Sequence, residues 1–188
     1  HPEIDTGLHV MMVLDQAERL SDDVEVRFAA LTHDLGKGNT PKNQLPSHPG
    51  HELRGCKLIR TVAERLPVPR ACRDLALLAA EFHTHCHRAF ELRTKTILKV
   101  LERTDAFRRP DRFERFLLTC EADARGRAGL ENRRYGQADY FRGAFAAASA
   151  IDAAAIAKTT EDRKIPAAIR RARKAAIAKF KAEGQDPP

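Results

Sequence analysis

The stretch Leu31-Thr32-His33-Asp34-Leu35-Gly36-Lys37 is the most informative part of the chain. It joins a hydrophobic helix end to a His-Asp doublet and then to a glycine-lysine turn. Adjacent residues of an α-helix point about 100° apart, so His33 and Asp34 reach one ligand only if it lies between their two directions. A buried carboxylate without a partner is costly, so Asp34 needs a cation or a proton.

Apolar residues on both sides of this stretch recur at the helical spacing i, i+3, i+4, i+7, and no segment alternates with a period of two for long enough to make a strand. The sequence therefore predicts an all-α protein. Ser47 suits an N-cap, Pro110 suits the first turn of a helix, and the glycines and prolines of residues 36–50 indicate an ordered loop. We predict helices over residues 7–20, 24–35, 49–66, 70–84, 95–107, 111–125, 137–156 and 167–182.

Five of the predicted helices place a histidine or an aspartate on their core-facing stripe. One such histidine is more often a hydrogen-bonded core residue than a ligand, but five helices that each contribute a group indicate a shared site. Imidazoles and carboxylates together suit a divalent metal, and helical bundles build metal sites from inward side chains on facing helices. The residues are His9, His33, Asp34, His51, His83 and Asp105.

An upstream histidine, a His-Asp doublet followed by Gly36-Lys37 and a distant aspartate resemble the pattern of the HD-domain metal-dependent phosphohydrolases. The resemblance implies an HD-type helical bundle and a divalent ion, Mg, Mn, Ni or Co. It also implies the metal ligands, which would be His9, His33, Asp34 and Asp105.

The same resemblance suggests catalytic roles around the ion. His51 and His83 match positions that line the pocket in that family and in some members hold a second metal. Either histidine could protonate a leaving ribose oxygen near neutral pH. Lys37 could stabilise charge on a phosphate in the transition state, and Arg27 could hold Asp34 in place.

Further motifs are similar to the C-terminal HD domain of the bacterial multifunctional CCA-adding enzymes, the tRNA nucleotidyltransferases. They comprise residues 1–9, 27–29, 36–41 and 121–129, whose sequences are HPEIDTGLH, RFA, GKGNTP and EADARGRAG. This resemblance implies 2′,3′-cyclic phosphodiesterase, 2′-nucleotidase and phosphatase activities, with the tRNA 3′ end and nucleotide phosphoesters as partners. The sequence has no glycine-serine loop followed by an Asp-x-Asp strand, so we expect no polymerase-type head in it.

Two segments allow more than one interpretation. Asp123 lies on the apolar stripe of its helix and should be half-buried; Arg125 or Arg127 could pair with it or could instead bind an RNA or substrate phosphate. The run His85-Cys86-His87 could belong to a zinc clip. Because no second ligand pair stands at a fixed offset from it, we predict a polar loop there.

Composition limits the class of protein. The 188 residues are 43% hydrophobic and 31% charged, as in globular domains, and no apolar run approaches the ~20 residues of a membrane span. The four scattered cysteines show no CxxC spacing and fit a reducing cytoplasm, where we place the protein. The chain begins His1-Pro2, with neither an initiator methionine nor a signal peptide, so we expect it to be part of a longer protein.

The net charge of +7 is concentrated near the C-terminus. Residues 163–182 contain eight Lys or Arg and no acid, whereas the preceding part is nearly neutral. We therefore divide the chain into an HD-type domain over residues 1–145 and a basic helical extension over residues 146–188. The last helix should dock through Ile169, Ile177 and Phe180 with its cations outward, where they could contact the tRNA backbone.

Two other functions remain open at this point. The chain could be a non-catalytic tRNA-binding or dimerisation module that keeps the HD residues as a buried polar network. It could also be a phosphohydrolase of free nucleotides, which the similarity of residues 121–129 to the CCA-adding enzymes disfavours. Whether the chain forms a homodimer, which metal is native and how many ions bind are not decided by the sequence.

Overall fold

The computed structural model of the protein describes residues 5–184 and confirms the all-α prediction, because no β-strand occurs within that range. The predicted motif residues His1–Ile4 lie outside the described range. The described residues form nine α-helices joined by short 3₁₀ turns and loops. The helices are α1 Thr6–Leu20, α2 Val24–Thr32, α3 His51–Arg65, α4 Arg70–His87, α5 Thr94–Arg103, α6 Pro110–Arg125, α7 Gly136–Ser149, α8 Ala153–Lys158 and α9 Ile165–Glu183.

Local sequence explains where several helices begin. The Asp5 side chain accepts a hydrogen bond from the Gly7 amide (2.6 Å), and the Asp23 side chain accepts one from the Glu25 amide (2.9 Å), so each aspartate caps its helix. Pro110 occupies the first turn of α6, as predicted, because that position needs no amide hydrogen.

The core is built around α4, which packs against α2, α3 and α6, while α1 closes the bundle against α6 and α2. Aromatic side chains fill its centre: Phe82, Phe113, Phe116 and Phe141 are each at most 2% exposed. Burying one such side chain contributes about 1.5–3 kcal/mol. All four cysteines are free and buried. Within residues 5–184, no helix has the length and apolar character needed to cross a membrane.

The predicted loop over residues 36–50 is ordered and contains two 3₁₀ turns, Leu35–Asn39 and Lys42–Gln44. The start of the helix after this loop was predicted wrongly, because Ser47 is not its N-cap. α3 begins at His51 and is preceded by Gly50, whose φ of +71° is a left-handed conformation that favours glycine. Gly36 packs tightly on α3, where a Cβ atom would lie 2.0 Å from the His51 carbonyl oxygen.

The single helix predicted over residues 137–156 is two helices. α7 ends at Ser149, and α8 begins after Asp152, whose side chain accepts a hydrogen bond from the Ala155 amide (2.8 Å). The alanines on both sides favour a helix, but a capping aspartate starts a new one. The domain boundary proposed between residues 145 and 146 falls inside α7.

The basic helix α9 docks on α7 and α5. Ile177 is buried and the Phe180 ring lies against Tyr140, as the apolar stripe predicts. Contrary to the prediction, several cations face the protein: Arg173 stacks over the Phe107 ring at 3.5 Å, and Arg170 pairs with Glu102 at 2.8 Å.

Candidate metal centre

Five helical segments bring histidines and aspartates to one buried point. His9 comes from α1, the His33-Asp34 doublet follows α2, His51 begins α3, His83 lies near the end of α4, and Asp123 lies near the end of α6. His9, His33, Asp34, His83 and Asp123 are each at most 4% exposed, and His51 is 9% exposed. So many polar groups in a core need a shared partner.

The end of α2 explains how two adjacent residues reach the same point. The helix ends at Thr32, and Asp34 has φ −102° and ψ 10°, which directs the chain into the following 3₁₀ turn. The 100° divergence of successive helical residues is thereby relieved. His33 Nε2 lies 3.3 Å from Asp34 Oδ2.

Four histidines of the cluster have the same orientation. In each, Nδ1 lies 2.8–2.9 Å from a backbone carbonyl oxygen, so the Nδ1–H group donates to that carbonyl and, in the neutral ring, Nε2 is left as an acceptor. The pairs are His9 with Gly126, His33 with Ala30, His51 with His48, and His83 with Ala79. All four Nε2 lone pairs therefore point into the cluster.

The inward-facing atoms form two groups of candidate metal ligands, and Asp34 lies between the two groups. His9 Nε2 and His33 Nε2 lie 3.1 and 3.5 Å from Asp123 Oδ1, and Asp34 Oδ2 lies beside His33. On the other side, Asp34 Oδ1 lies 3.5 Å from the Nε2 atoms of both His51 and His83. Within each group, His9–His33–Asp123 and Asp34–His51–His83, the ligand atoms lie within 4.8 Å of one another.

These residues fit a divalent metal. His33 Nε2 and Asp34 Oδ1 are buried and have no hydrogen-bond partner among residues 5–184, although a neutral imidazole nitrogen and a carboxylate oxygen are both strong acceptors. The Nε2 atoms of His51 and His83 face each other at 3.3 Å, an arrangement that requires a proton or a cation between two lone pairs. Imidazole nitrogens and carboxylate oxygens held by backbone carbonyls are ligands with their supporting hydrogen bonds already in place.

The electrostatics of the metal-free cluster favour carboxylates and a protonated His33. Burial alone would lower the pKa of His33, but the Asp123 and Asp34 carboxylates outweigh it and raise that pKa well above its ordinary value. Burial opposes ionisation of both aspartates, yet the neighbouring histidines hold the pKa of Asp34 and that of Asp123 far below the ordinary range. Burial lowers the pKa of His51.

Lys37 lies one turn after the doublet, with its Nζ atom 2.5 Å from Asp34 Oδ2. Its side chain also lines a cleft of about 430 Å³ in front of the cluster, where an ammonium group could meet a phosphate. Arg27 does not hold Asp34 as expected, because its guanidinium lies 3.6 Å from Asp22 on the surface. The cation that contacts Asp34 is Lys37.

The structure does not bring Asp105 to this cluster, and Asp123 stands where the fourth ligand was expected. Helix α5 ends at Arg103, and Asp105 follows in a turn with φ +57°. Its carboxylate lies 3.5–3.9 Å from three arginines of the next segment: Arg108, Arg109 and Arg112. The prediction extended the helical periodicity past the end of the helix.

His87, which was predicted to lie in a polar loop, is part of the site. α4 continues to His87, whose Nε2 atom lies 2.6 Å from Asp123 Oδ2 and whose Nδ1 atom lies 2.8 Å from the Tyr135 hydroxyl. Burial raises the pKa of Tyr135, so its hydroxyl stays protonated and can donate to His87 Nδ1. His87 then donates from Nε2 to Asp123. Cys86 is buried in the core, and His85 packs against Phe82.

Arg125 and Arg127, the predicted substrate ligands, follow Asp123 along the chain. Arg125 pairs with Glu121 at 2.7 Å and donates to the Arg133 carbonyl, which ties the end of α6 to the following loop. Arg127 lies 3.7 Å from Asp123 Oδ1 and lines the cleft in front of the cluster. Of the two arginines, Arg127 is therefore the one that pairs with Asp123, and it also faces the cleft, whereas Arg125 pairs with Glu121 instead.

Known proteins that are similar to this chain identify its family. The family model described as "HD domain" matches residues 6–112. The "Multifunctional CCA protein" of Thioalkalivibrio sulfidiphilus is 61% identical over 153 residues, which are 81% of this chain and 37% of that protein. The protein of the same name from Hahella chejuensis is 50% identical over 182 residues, covering 96% of this chain and 43% of that protein. The chain thus spans less than half the length of each relative, and no solved structure matches it. The family match, which covers more than half of the sequence and includes the His-Asp doublet, shows that the chain belongs to the HD domain family.

Proposed function

We propose that this chain is a metal-dependent phosphohydrolase that acts on nucleotide phosphoesters. Its activities would be opening of 2′,3′-cyclic phosphates, hydrolysis of 2′-nucleotides and general phosphatase activity. The observation that carries the proposal is the set of four inward Nε2 atoms and two carboxylates, buried beneath a cleft whose rim carries Lys37 and Arg127.

The ligand set follows from the distances. His9, His33 and Asp123 would hold one divalent ion, together with Asp34 Oδ2, which lies 3.9 Å from His9 Nε2 and 3.3 Å from His33 Nε2. We take the ion to be Mg, Mn, Ni or Co, and Asp123 replaces Asp105 in the assignment. His51, His83 and the second oxygen of Asp34 form the group suited to a second ion. A bound ion would polarise a phosphoryl oxygen and lower the pKa of a bound water.

The protein's own groups would act on the phosphate and the leaving oxygen. Lys37, whose side chain is 13% exposed, can place its positive charge against the phosphate. When no second ion is bound, one proton held between the Nε2 atoms of His51 and His83 is available to the leaving ribose oxygen. Arg127 offers a planar donor group at the same cleft.

The relatives' name supports a role at the tRNA 3′ end. We propose that the chain is the HD domain of a longer multifunctional CCA protein and that its phosphoester substrates arise at tRNA 3′ termini. The chain itself should add no nucleotides, because its sequence contains no glycine-serine loop with a following Asp-x-Asp strand.

Phosphate release and cyclic-phosphate opening by the purified protein test the proposal. We expect activity on 2′,3′-cyclic AMP and 2′-AMP with at least one of Mg, Mn, Ni and Co, and loss of it in His33→Ala and in Asp34→Ala. Activity that survives in both variants would come from a contaminant and would contradict the proposal. A folded, metal-loaded protein that is inactive with every metal would instead be the tRNA-binding or dimerisation module.

A further inference from the structure

A second cavity of about 460 Å³ opens beside the metal centre, and we call it the arginine cavity. Among residues 5–184, nine line this cavity and none of them is acidic. Four of the nine are arginines: Arg125, Arg127, Arg133 and Arg134. Leu130 and the buried Tyr135 supply apolar surface. Its size lies within the range of about 300–1,000 Å³ for ligand sites, and its cations select for an anion.

The arginine cavity adjoins the catalytic cleft. His87 and Arg127 line both spaces. On the cleft side, His87 Nε2 contacts Asp123, and on the other side its Nδ1 atom contacts Tyr135, so one imidazole ring forms part of the wall between them. A polymeric ligand whose end is bound in the cleft can therefore extend past Arg127 into the arginine cavity.

The charges of this cavity are only partly compensated by the protein. Arg125 forms an ion pair with Glu121. Arg134 lies 3.6 Å from Asp139, and the side chains of Arg134 and Asp139 are both more than half exposed. Arg133 is exposed, and its guanidinium has no ion pair with any residue in the range 5–184. Exposed guanidinium groups without a strong partner suit phosphate, which they bind through two parallel hydrogen bonds.

We propose that the arginine cavity binds the phosphodiester and nucleoside preceding the terminal nucleotide, so that the 3′ end of an RNA chain is a better substrate than a free mononucleotide. This inference rests on the proposed function, which places the terminal phosphate at the metal centre. A mononucleotide would occupy the 430 Å³ cleft alone and would gain nothing from Arg133 and Arg134. An oligonucleotide would contact both spaces at once.

Binding without metal tests the subsite independently of catalysis. The probe is a 5′-fluorescein-labelled RNA trimer with a 3′-phosphate, measured by fluorescence anisotropy in EDTA, with 3′-AMP as an unlabelled competitor. For Arg133→Ala/Arg134→Ala we expect the trimer Kd to rise about tenfold and the 3′-AMP Kd to change less than about twofold. The slope of log K against log salt should fall by about 0.7 for each lost phosphate contact.

The matched control is Arg65→Ala/Arg70→Ala, which removes the same charge from exposed positions at the far ends of α3 and α4. α4 has 18 residues and an α-helix rises about 1.5 Å per residue, so Arg70 at its start lies about 25 Å from His87 at its end. This control should therefore leave trimer binding unchanged. Unchanged trimer binding in Arg133→Ala/Arg134→Ala, or equal weakening of trimer and 3′-AMP, would overturn the proposal. So would a control that loses as much affinity as the test variant.

Kinetics separate this proposal from the proposed function. With metal, kcat/KM for a trimer ending in a 2′,3′-cyclic phosphate should fall about tenfold in Arg133→Ala/Arg134→Ala, while that for 2′,3′-cyclic AMP stays within about twofold. Wild-type protein that binds the trimer through these arginines but hydrolyses neither substrate would support the subsite and refute the phosphohydrolase. Hydrolysis of both substrates at rates unaffected by the two substitutions would refute the subsite alone.

Discussion

His87 is oriented differently from the four inward histidines. His9, His33, His51 and His83 donate from Nδ1 to carbonyls, whereas His87 donates from Nε2 to Asp123 Oδ2 and contacts the Tyr135 hydroxyl through Nδ1. This hydrogen bond leaves Asp123 Oδ1 directed at His9 and His33. His87 is therefore a positioning residue for a metal ligand.

We expect His87→Ala to weaken metal binding about 10–100-fold, the usual effect of losing a hydrogen bond to a ligand. His87→Gln keeps an amide donor near the position of Nε2 and should recover part of the affinity. Isothermal titration with Mn or Co measures both variants. Equal affinity in His87→Ala and wild type would show that Asp123 needs no support from this side.

Asp123 and Asp105 differ in what surrounds them, and substitution separates their roles. Asp123→Ala should abolish tight metal binding, because it removes the oxygen that lies 3.1 Å from His9 Nε2. Asp105→Ala should leave metal binding unchanged, since its neighbours are arginines on the following segment. Metal content after gel filtration measures both. Loss of metal from Asp105→Ala with retention in Asp123→Ala would restore the original assignment.

Metal affinity should fall as the pH falls, because a ligating imidazole must be neutral. The carboxylates raise the pKa of His33 in the metal-free protein, so the decline should begin above the ordinary histidine value of about 6.5. Without metal the sign is opposite: protonated His33 stabilises the fold at low pH, and this contribution is lost as the pH rises through the raised pKa. Titration calorimetry between about pH 5.5 and 8 should detect proton release; pH-independent affinity would contradict this.

One glycine determines how closely the loop after the His33-Asp34 doublet approaches α3. A Cβ atom on Gly36 would lie 2.0 Å from the His51 carbonyl oxygen and 2.5 Å from the Gly55 nitrogen, both of which are backbone atoms. Gly38, two residues later in the same 3₁₀ turn, has open space at the equivalent position.

Gly36→Ala should therefore destabilise the protein by at least about 1–3 kcal/mol, because neither backbone contact can move without displacing α3. In a domain of this size, each kcal/mol lowers Tm by roughly 2–4 °C. Gly38→Ala is the matched control and should change Tm by less than about 2 °C. Thermal unfolding followed by circular dichroism compares the two; equal Tm values would mean that the loop is not packed as described.

The helix interiors could be predicted from the sequence, but several helix ends could not. Apolar periodicity predicts which faces of α1 to α4 are buried, and so it identifies the core-facing histidines. Where a helix stops depends on contacts distant in sequence: α5 ends two residues before Asp105, and α4 continues to His87, which reaches Asp123 and Tyr135.

The sequence nevertheless contains features that indicate a role for Asp123 and for His87. Asp123 shares the apolar stripe of Phe113, Phe116 and Cys120, all of which are buried, and a carboxylate there needs a cation. His87 lies one helical turn after His83 and therefore on the same face of α4. Distinguishing Asp123 from Asp105 required the path of the chain between α5 and α6.

The basic helix α9 is integrated into the fold. Ile177 is buried, Phe180 packs against Tyr140 and Gly143, and Arg173 covers Phe107. Deleting the basic segment would expose this contact and would measure stability rather than RNA binding. A test of its charge must therefore use exposed residues that take no part in docking.

Arg171 and Lys174 meet this requirement: both are exposed, and with Lys95 they line a groove of about 410 Å³ between α5 and α9. We expect Arg171→Ala/Lys174→Ala to weaken tRNA binding and to reduce the slope of log K against log salt by up to about 1.8, because each phosphate contact in a duplex contributes about 0.9. Filter binding between 50 and 200 mM salt measures the tRNA affinity and its salt slope, with Arg65→Ala/Arg70→Ala as the control of equal charge.

Hydrolysis of 2′,3′-cyclic AMP by Arg171→Ala/Lys174→Ala should be unchanged, because the groove is separate from the cleft that His51 and His83 line. If the tRNA affinity and salt slope of the test variant equal those of wild type, these cations are a solvated face without a role in RNA binding.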